Sequence, residues 1–153
     1  MSKVLRSLFL AVLLLLCVGC DKTPINGKLD GMWQLMTIQT PDGTRDMKQN
    51  QAYISIQLHL AEWWTPNLSW DTYHYFSHFE HRADSLVFFD LCRASAHTVT
   101  GSDDVPLTAR QMHEGALDHW GVHTLHTRYR VVKLTAKHLT LEKEDTVYAF
   151  RKF

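Results

Sequence analysis

Little in this 153-residue chain is in excess, and several things are missing. Basic and acidic side chains balance at 16 each, so no cationic stripe is available to track a nucleic-acid backbone. The longest apolar run, Leu8 to Leu16, falls far short of the ~20 residues that a membrane-spanning helix needs. There is no Gly-x-Ser-x-Gly, no Gly-rich phosphate loop and no Cys-x-x-Cys, which removes the usual signatures of hydrolase, nucleotide and dithiol chemistry. Asp103-Asp104 and Glu142 with Glu144-Asp145 are acidic pairs, but hydrolytic carboxylates must converge across a cleft, and adjacency in sequence does not place them so. The chain is therefore not expected to be an enzyme, and no cofactor is expected. Neither a repeat, a low-complexity tract nor an interdomain linker interrupts it, which fits a single domain.

What is present begins with a targeting device. Lys3 and Arg6 give a positive start, the apolar run follows, and "CVGC" closes it, which is the grammar of a signal peptide over residues 1–19. Gly19 before Cys20 resembles the lipobox of bacterial lipoproteins, with Cys17 in the leading place that Leu usually takes. An ordinary secretory peptide cleaved nearby is the alternative. The resemblance implies that Cys20 is acylated and becomes the mature N-terminus, so that acyl chains hold the protein to a membrane. The expected location is the bacterial cell envelope, with outer membrane or cell surface ahead of inner membrane; Asp21 follows the acylated residue, a place that influences membrane sorting in some bacteria with a meaning that differs between lineages. Loss of the leader takes Cys17 with it, lipid claims Cys20, and Cys92 is left alone, so no disulfide forms within one mature chain. Residues 20–28, with Pro24 and Gly27, read as a tether.

From Met32 the texture is that of antiparallel strands separated by turn residues. The expected strands run from Met32 to Thr40, through "AYISIQLHL", from Trp70 to Glu80, from Leu86 to Leu91, through "AHTVT", and through "TLHTRYRVV", "HLTLEK" and "TVYAFRKF". In the second, Ile54, Ile56, Leu58 and Leu60 would share one face. The last two would meet at a two-residue Glu144-Asp145 turn. One helix has a legible start: Thr108 and Gln111 form a capping box, Leu107 and Met112 suit a hydrophobic staple, and the end falls near Gly115 to Gly121. Eight strands with short connections predict a mainly β fold, an antiparallel up-and-down barrel, since closure removes exposed strand edges. A β-sandwich is the alternative.

Gly31-Met32-Trp33 at the opening strand resembles the Gly-x-Trp signature of lipocalins. Together with "LDHWGVH", the closing stretch "YRVVKLTAKHLTLEKEDTVYAF" and the lipobox, it makes residues 29–153 similar to the lipocalin-like lipoproteins of bacteria. The resemblance implies that Trp33 lies across the closed end of the barrel under a basic side chain from a late strand, a cation–π contact of ~0.5 to 2 kcal/mol. Arg151 is the matching candidate and Arg130 the second. Gly31 would let the chain pass close to the ring.

Ten histidines raise a metal site, but His74 and His78 in a strand stand about 13 Å apart, too far to share one ion. Convergence across strands stays open, and zinc needs three or four ligands; no metal is assigned. The aromatic segment offers Trp64, Trp70, Tyr73, Tyr75 and Phe79 as candidate ligand-binding residues, or else as filling for the barrel's own interior. The leading expectation is an envelope lipoprotein whose barrel binds a small, partly apolar molecule. The alternative is a structural or interaction lipoprotein with a filled barrel that contacts another envelope protein, and a His-dependent metal enzyme comes third.

Overall fold

Alternating apolar residues force one face of each strand inward, and the strands close on themselves. In the computed structural model, residues 24–66, 73–95, 105–115 and 117–153 are described; the leader, Cys20 and the "AHTVT" stretch lie outside them. Ten strands form one antiparallel sheet: β1 (Gly31–Thr40), β2 (Gly43–Asp46), β3 (Tyr53–Gln57), β4 (Leu60–Trp64), β5 (Tyr73–Arg82), β6 (Ser85–Ser95), β7 (Val105–Pro106), β8 (Thr127–Leu134), β9 (His138–Lys143) and β10 (Thr146–Lys152). The order β1-β3-β4-β5-β6-β8-β9-β10 returns to β1, which gives an eight-stranded closed barrel with β2 and β7 as additions on β1 and β6. The up-and-down barrel is thus observed, and the sandwich is excluded.

Eight strands were expected and eight close the ring, but they are not the same eight. The "AYISIQLHL" strand breaks in two. Ile54 and Ile56 are buried while Leu58 and Leu60 are exposed, because Leu58 adopts φ 56° and turns β3 back along β4. The chain keeps its apolar alternation through a turn, which periodicity cannot detect. β4, running through Ala61, Trp63 and Trp64, is the additional ring strand, lying between β3 and β5, while β6 pairs directly with β8. β8 starts at Thr127 rather than Thr124, since Thr124 and Thr127 hydrogen-bond each other's segment in a turn.

Local chemistry fared better. Thr108 caps α1 (Ala109–His113) with the reciprocal box to Gln111, and both staple residues, Leu107 and Met112, are buried. The helix stops at His113, two residues before Gly115. Glu144, at φ 54°, turns β9 into β10, with Lys143 and Thr146 paired across the hairpin.

Two ends follow from the register. One, the closed end, gathers the start of β1, the β3–β4, β5–β6 and β8–β9 turns and the chain terminus; the other, the mouth, gathers the β9–β10 hairpin and the segment from β7 to β8. That segment does not arch away from the mouth. Leu107, Met112, Leu117, Trp120 and Val122 are all buried in the same cluster as the barrel residues Leu35, Ile54, Phe88, Leu139 and Phe150.

Candidate functional site

At the closed end, Trp33 is completely buried and its Nε1 donates to the Leu29 carbonyl at 2.7 Å. A cation does stand over its ring, but it is Lys152, with Nζ 4.7 Å from the centroid, and not Arg151. The reason is strand parity. Trp33 pairs with Lys152 and Gln34 with Arg151, so Lys152 shares the inward face of Tyr148 and Phe150, whereas Arg151 points out and donates to Gln34 Oε1 at 3.2 Å. Arg130 is also outside, paired with Glu142. Lys152 Nζ donates further to the carbonyls of Lys28 (2.8 Å) and Asp30 (2.5 Å). Burial pulls the ammonium below its usual pKa, and Asp30 partly opposes this. Gly31 has φ 124°, and a Cβ there would lie 3.1 Å from Lys152 Cε; glycine is needed for both backbone and space.

The mouth is stoppered by a second constellation. Trp120 packs edge-on to Trp63 (centroids 5.7 Å apart), Trp63 on Phe88 (4.6 Å) and Phe88 on Tyr129 (6.0 Å). Tyr129 Oη donates to the Trp120 carbonyl at 2.6 Å, and Lys143 Nζ donates to the Gly121 carbonyl at 3.0 Å. Trp63 Nε1 donates to Ser77 Oγ at 3.0 Å. Gly121 sits at φ 73°, where a Cβ would fall 1.9 Å from Tyr148 Oη. Both phenols are held above their usual pKa: Tyr129 by burial and then by Tyr148, Tyr148 by burial and then by Glu144, with Thr146 and Arg45 opposing the latter. Among the described residues, Trp120 Nε1 is the single buried side-chain N or O atom with no hydrogen-bond partner. "LDHWGVH" foreshadowed this element, but only the tertiary packing shows that it seals the barrel.

Of the candidate ligand-lining aromatics that are described, Trp64 faces outward and Tyr75 and Phe79 inward. Trp64 follows inward-facing Trp63 and so points outward, stacked on Tyr53 (4.6 Å, 21°) and His74 (6.2 Å, 8°), with Nε1 on Ser55 Oγ at 3.2 Å. Tyr75 pairs with Trp63 on the inner face and lines a recess of about 240 Å³ at the mouth with Arg93, Leu107, Gln111 and Glu114. Phe79 lies deeper, tilted against Phe88 at 6.4 Å. Tyr73 opens β5 opposite Ser95, but its side chain and the whole of Trp70 lie outside the described residues. The larger recesses are external: about 640 Å³ at the closed end beside Ile25 and Leu58, about 470 Å³ beside Lys137 and Phe153, and about 440 Å³ on the outer wall beside Phe89 and Arg128.

Three of the histidines are dispersed in pairs with single carboxylates. His74 meets Glu62, His78 meets Asp90 at 3.4 Å, and His123 meets Asp118 at 3.1 Å. Among the described residues no three His, Cys, Asp or Glu side chains are placed to hold a metal ion. Cys92 is half-buried and forms no disulfide among the described residues.

A closed antiparallel meander with an indole and a cation sealing one end defines the lipocalin-like class of barrels. The chain belongs to the lipocalin-like domain family, whose model matches residues 14–153. Two crystal structures are similar to it. A lipocalin-like protein from Bacteroides uniformis shares 19% identity with a TM-score of 0.59, over 83% of this chain and 100% of that one. An uncharacterized protein from Bacteroides eggerthii shares 19% identity with a TM-score of 0.58, over 81% and 98%. At this identity both speak for the fold alone. No curated protein matches the sequence.

Proposed function

We propose that this chain is an acylated lipoprotein of the bacterial cell envelope whose filled barrel is a rigid, non-enzymatic scaffold, contacting another envelope component through its outer wall and mouth. The observation that carries this reading is the occupied axis: Trp63, Phe88, Trp120 and Tyr129 mesh at 4.6–6.0 Å where a calyx would open. Small-molecule pockets span about 300–1,000 Å³, and the mouth recess beside Tyr75 reaches only about 240 Å³. The anchor rests on Cys20 and the leader before it, and stable attachment follows from two or more acyl chains. Native mass spectrometry of the protein purified from its own envelope tests this reading. The expected mass is the lipidated chain alone, or with a protein partner; a stoichiometric small-molecule adduct would make it a container instead.

A second reading, capture of a small, partly apolar molecule, is favoured by one observation. The unpartnered Trp120 Nε1 is a buried donor, costly to leave unsatisfied, and an acceptor atom on a guest that displaced the stopper would satisfy it. Here Tyr75, at the mouth, would be the contact retained from the candidate set.

A further inference from the structure

Ile25, Leu58 and Leu60 are among the few large apolar side chains exposed among the described residues, at 64, 54 and 46%, and all three belong to the closed end. Ile25 and Leu58 border the same 640 Å³ recess, and Asn26 Nδ2 ties the two segments together through the Leu58 carbonyl at 2.8 Å. Leu58 is the odd residue. It holds φ 56°, a conformation that favours Gly or Asn and costs a bulky side chain about 1–2 kcal/mol. The reversal of β3 into β4 requires the left-handed backbone at this position, but it does not require a leucine there: the side chain packs against no core and stands in solvent, where Gly or Asn would make the same turn without the cost.

Around this apolar tip the charge is mixed, with two unpaired cations. Lys28 and Lys137 are exposed at the same end and have no acidic partner among the described residues, whereas Arg82 is paired with Glu80 at 2.7 Å, Asp30 borders the recess and Asp84 is exposed in the β5–β6 turn. Chain length decides which surface the closed end can meet. Four residue steps separate Cys20 from Pro24, a reach of at most about 14 Å. The ten-residue β1 alone extends about 33 Å, so a lipid on Cys20 holds the closed end, and not the mouth, against the bilayer.

We infer that the closed end of the barrel is a membrane-docking face, with Ile25, Leu58 and Leu60 dipping into the acyl boundary and the exposed Lys28 and Lys137 meeting anionic headgroups. This rests on the lipid-anchored reading above. Apolar anchors combined with basic neighbours are what hold amphipathic surfaces at an interface. The mouth and the outer wall bearing Trp64 then face away from the bilayer, free for a protein partner.

The test uses the full lipidated protein in vesicles of phosphatidylethanolamine and phosphatidylglycerol, in a Cys92→Ala background. An environment-sensitive dye is attached to Leu58→Cys, to Ile25→Cys as a second position, and to Glu144→Cys at the mouth, and doxyl-labelled lipids act as quenchers. Mass spectrometry first establishes acylation at Cys20. Quenching at 58 and 25 is expected to exceed that at 144 by about threefold or more, as for a face buried ~5–10 Å at the interface. Acylated protein with equal quenching at all positions, or stronger quenching at 144, overturns the docking face and leaves the anchor standing. Absence of acyl chains on Cys20 overturns the anchor and the docking face together.

Discussion

Replacing Gly121 by alanine probes the stopper where it is tightest. The residue sits at φ 73°, and the new Cβ would lie 1.9 Å from Tyr148 Oη and 2.4 Å from Cζ. Two costs combine. An L-residue in the left-handed region costs about 1–2 kcal/mol, and forcing a methyl group into a packed contact costs a further ~1–3 kcal/mol. Tyr148 cannot swing away freely, because its ring stands edge-on to Tyr129 at 5.8 Å, which itself holds the Trp120 carbonyl. Gly121→Ala should therefore destabilise the barrel by about 2–5 kcal/mol, lowering Tm by roughly 6–18 °C for a domain of this size. Gly27→Ala is the matched control: its φ is 58°, but nothing lies within 4 Å of the added Cβ, so only the backbone cost applies. Thermal unfolding followed by near-ultraviolet circular dichroism reads both variants. Equal losses for the two would mean that Gly121 does not press on Tyr148, and the description of the stopper would be wrong.

At the closed end, Lys152→Met removes the cation from the Trp33 face and both carbonyl contacts. It should cost about 1–3 kcal/mol, against less than about 1 kcal/mol for exposed Arg151→Met; urea unfolding midpoints distinguish them, and the reverse order would restore Arg151 as the sealing residue. Alkaline titration has a definite sign. Tyr129 and Tyr148 are raised in the folded state, so the stability they contribute is complete below the unfolded tyrosine pKa of about 10 and is lost as pH rises above it. Phenolate absorbance should therefore show some tyrosines ionising only as the circular dichroism signal collapses, and a smooth titration of every tyrosine in folded protein near pH 10 would refute it. Lys152 works oppositely, since its lowered folded pKa makes stability rise with pH between the folded and unfolded values; Lys152→Met should remove that upward slope. Thr108→Ala should cost about 1 kcal/mol through loss of the capping box, read as faster hydrogen exchange over residues 109–114 with little change in β1.

What was legible in the sequence was whatever is written locally. The capping box at Thr108 and Gln111, the Glu144-Asp145 hairpin and the strand rich in "HLTLEK" depend on neighbours in the chain, and all three are found. The β3–β4 turn was hidden because Leu58 and Leu60 imitate the inward alternation of Ile54 and Ile56 while standing in solvent. Lys152 could have been found. It follows Tyr148 and Phe150 at intervals of two, whereas Arg151 is out of phase with both. For Trp64 the same parity operates: adjacent to Trp63 on one strand, it must face the other way. The stopper was beyond reach, since nothing in residues 107–122 states which surface will cover them; Trp63, Tyr129, Lys143 and Tyr148 come from four different strands.

Whether the barrel is filled or hollow is measured most directly by titrating the purified protein with cis-parinaric acid, an apolar fluorophore that accepts energy from tryptophan. With Trp63 and Trp120 closing the axis against each other, no saturable one-to-one enhancement should appear below micromolar probe. Stoichiometric binding that quenches the interior tryptophans, and that Trp63→Phe abolishes without unfolding the protein, would show that the axis opens to a guest.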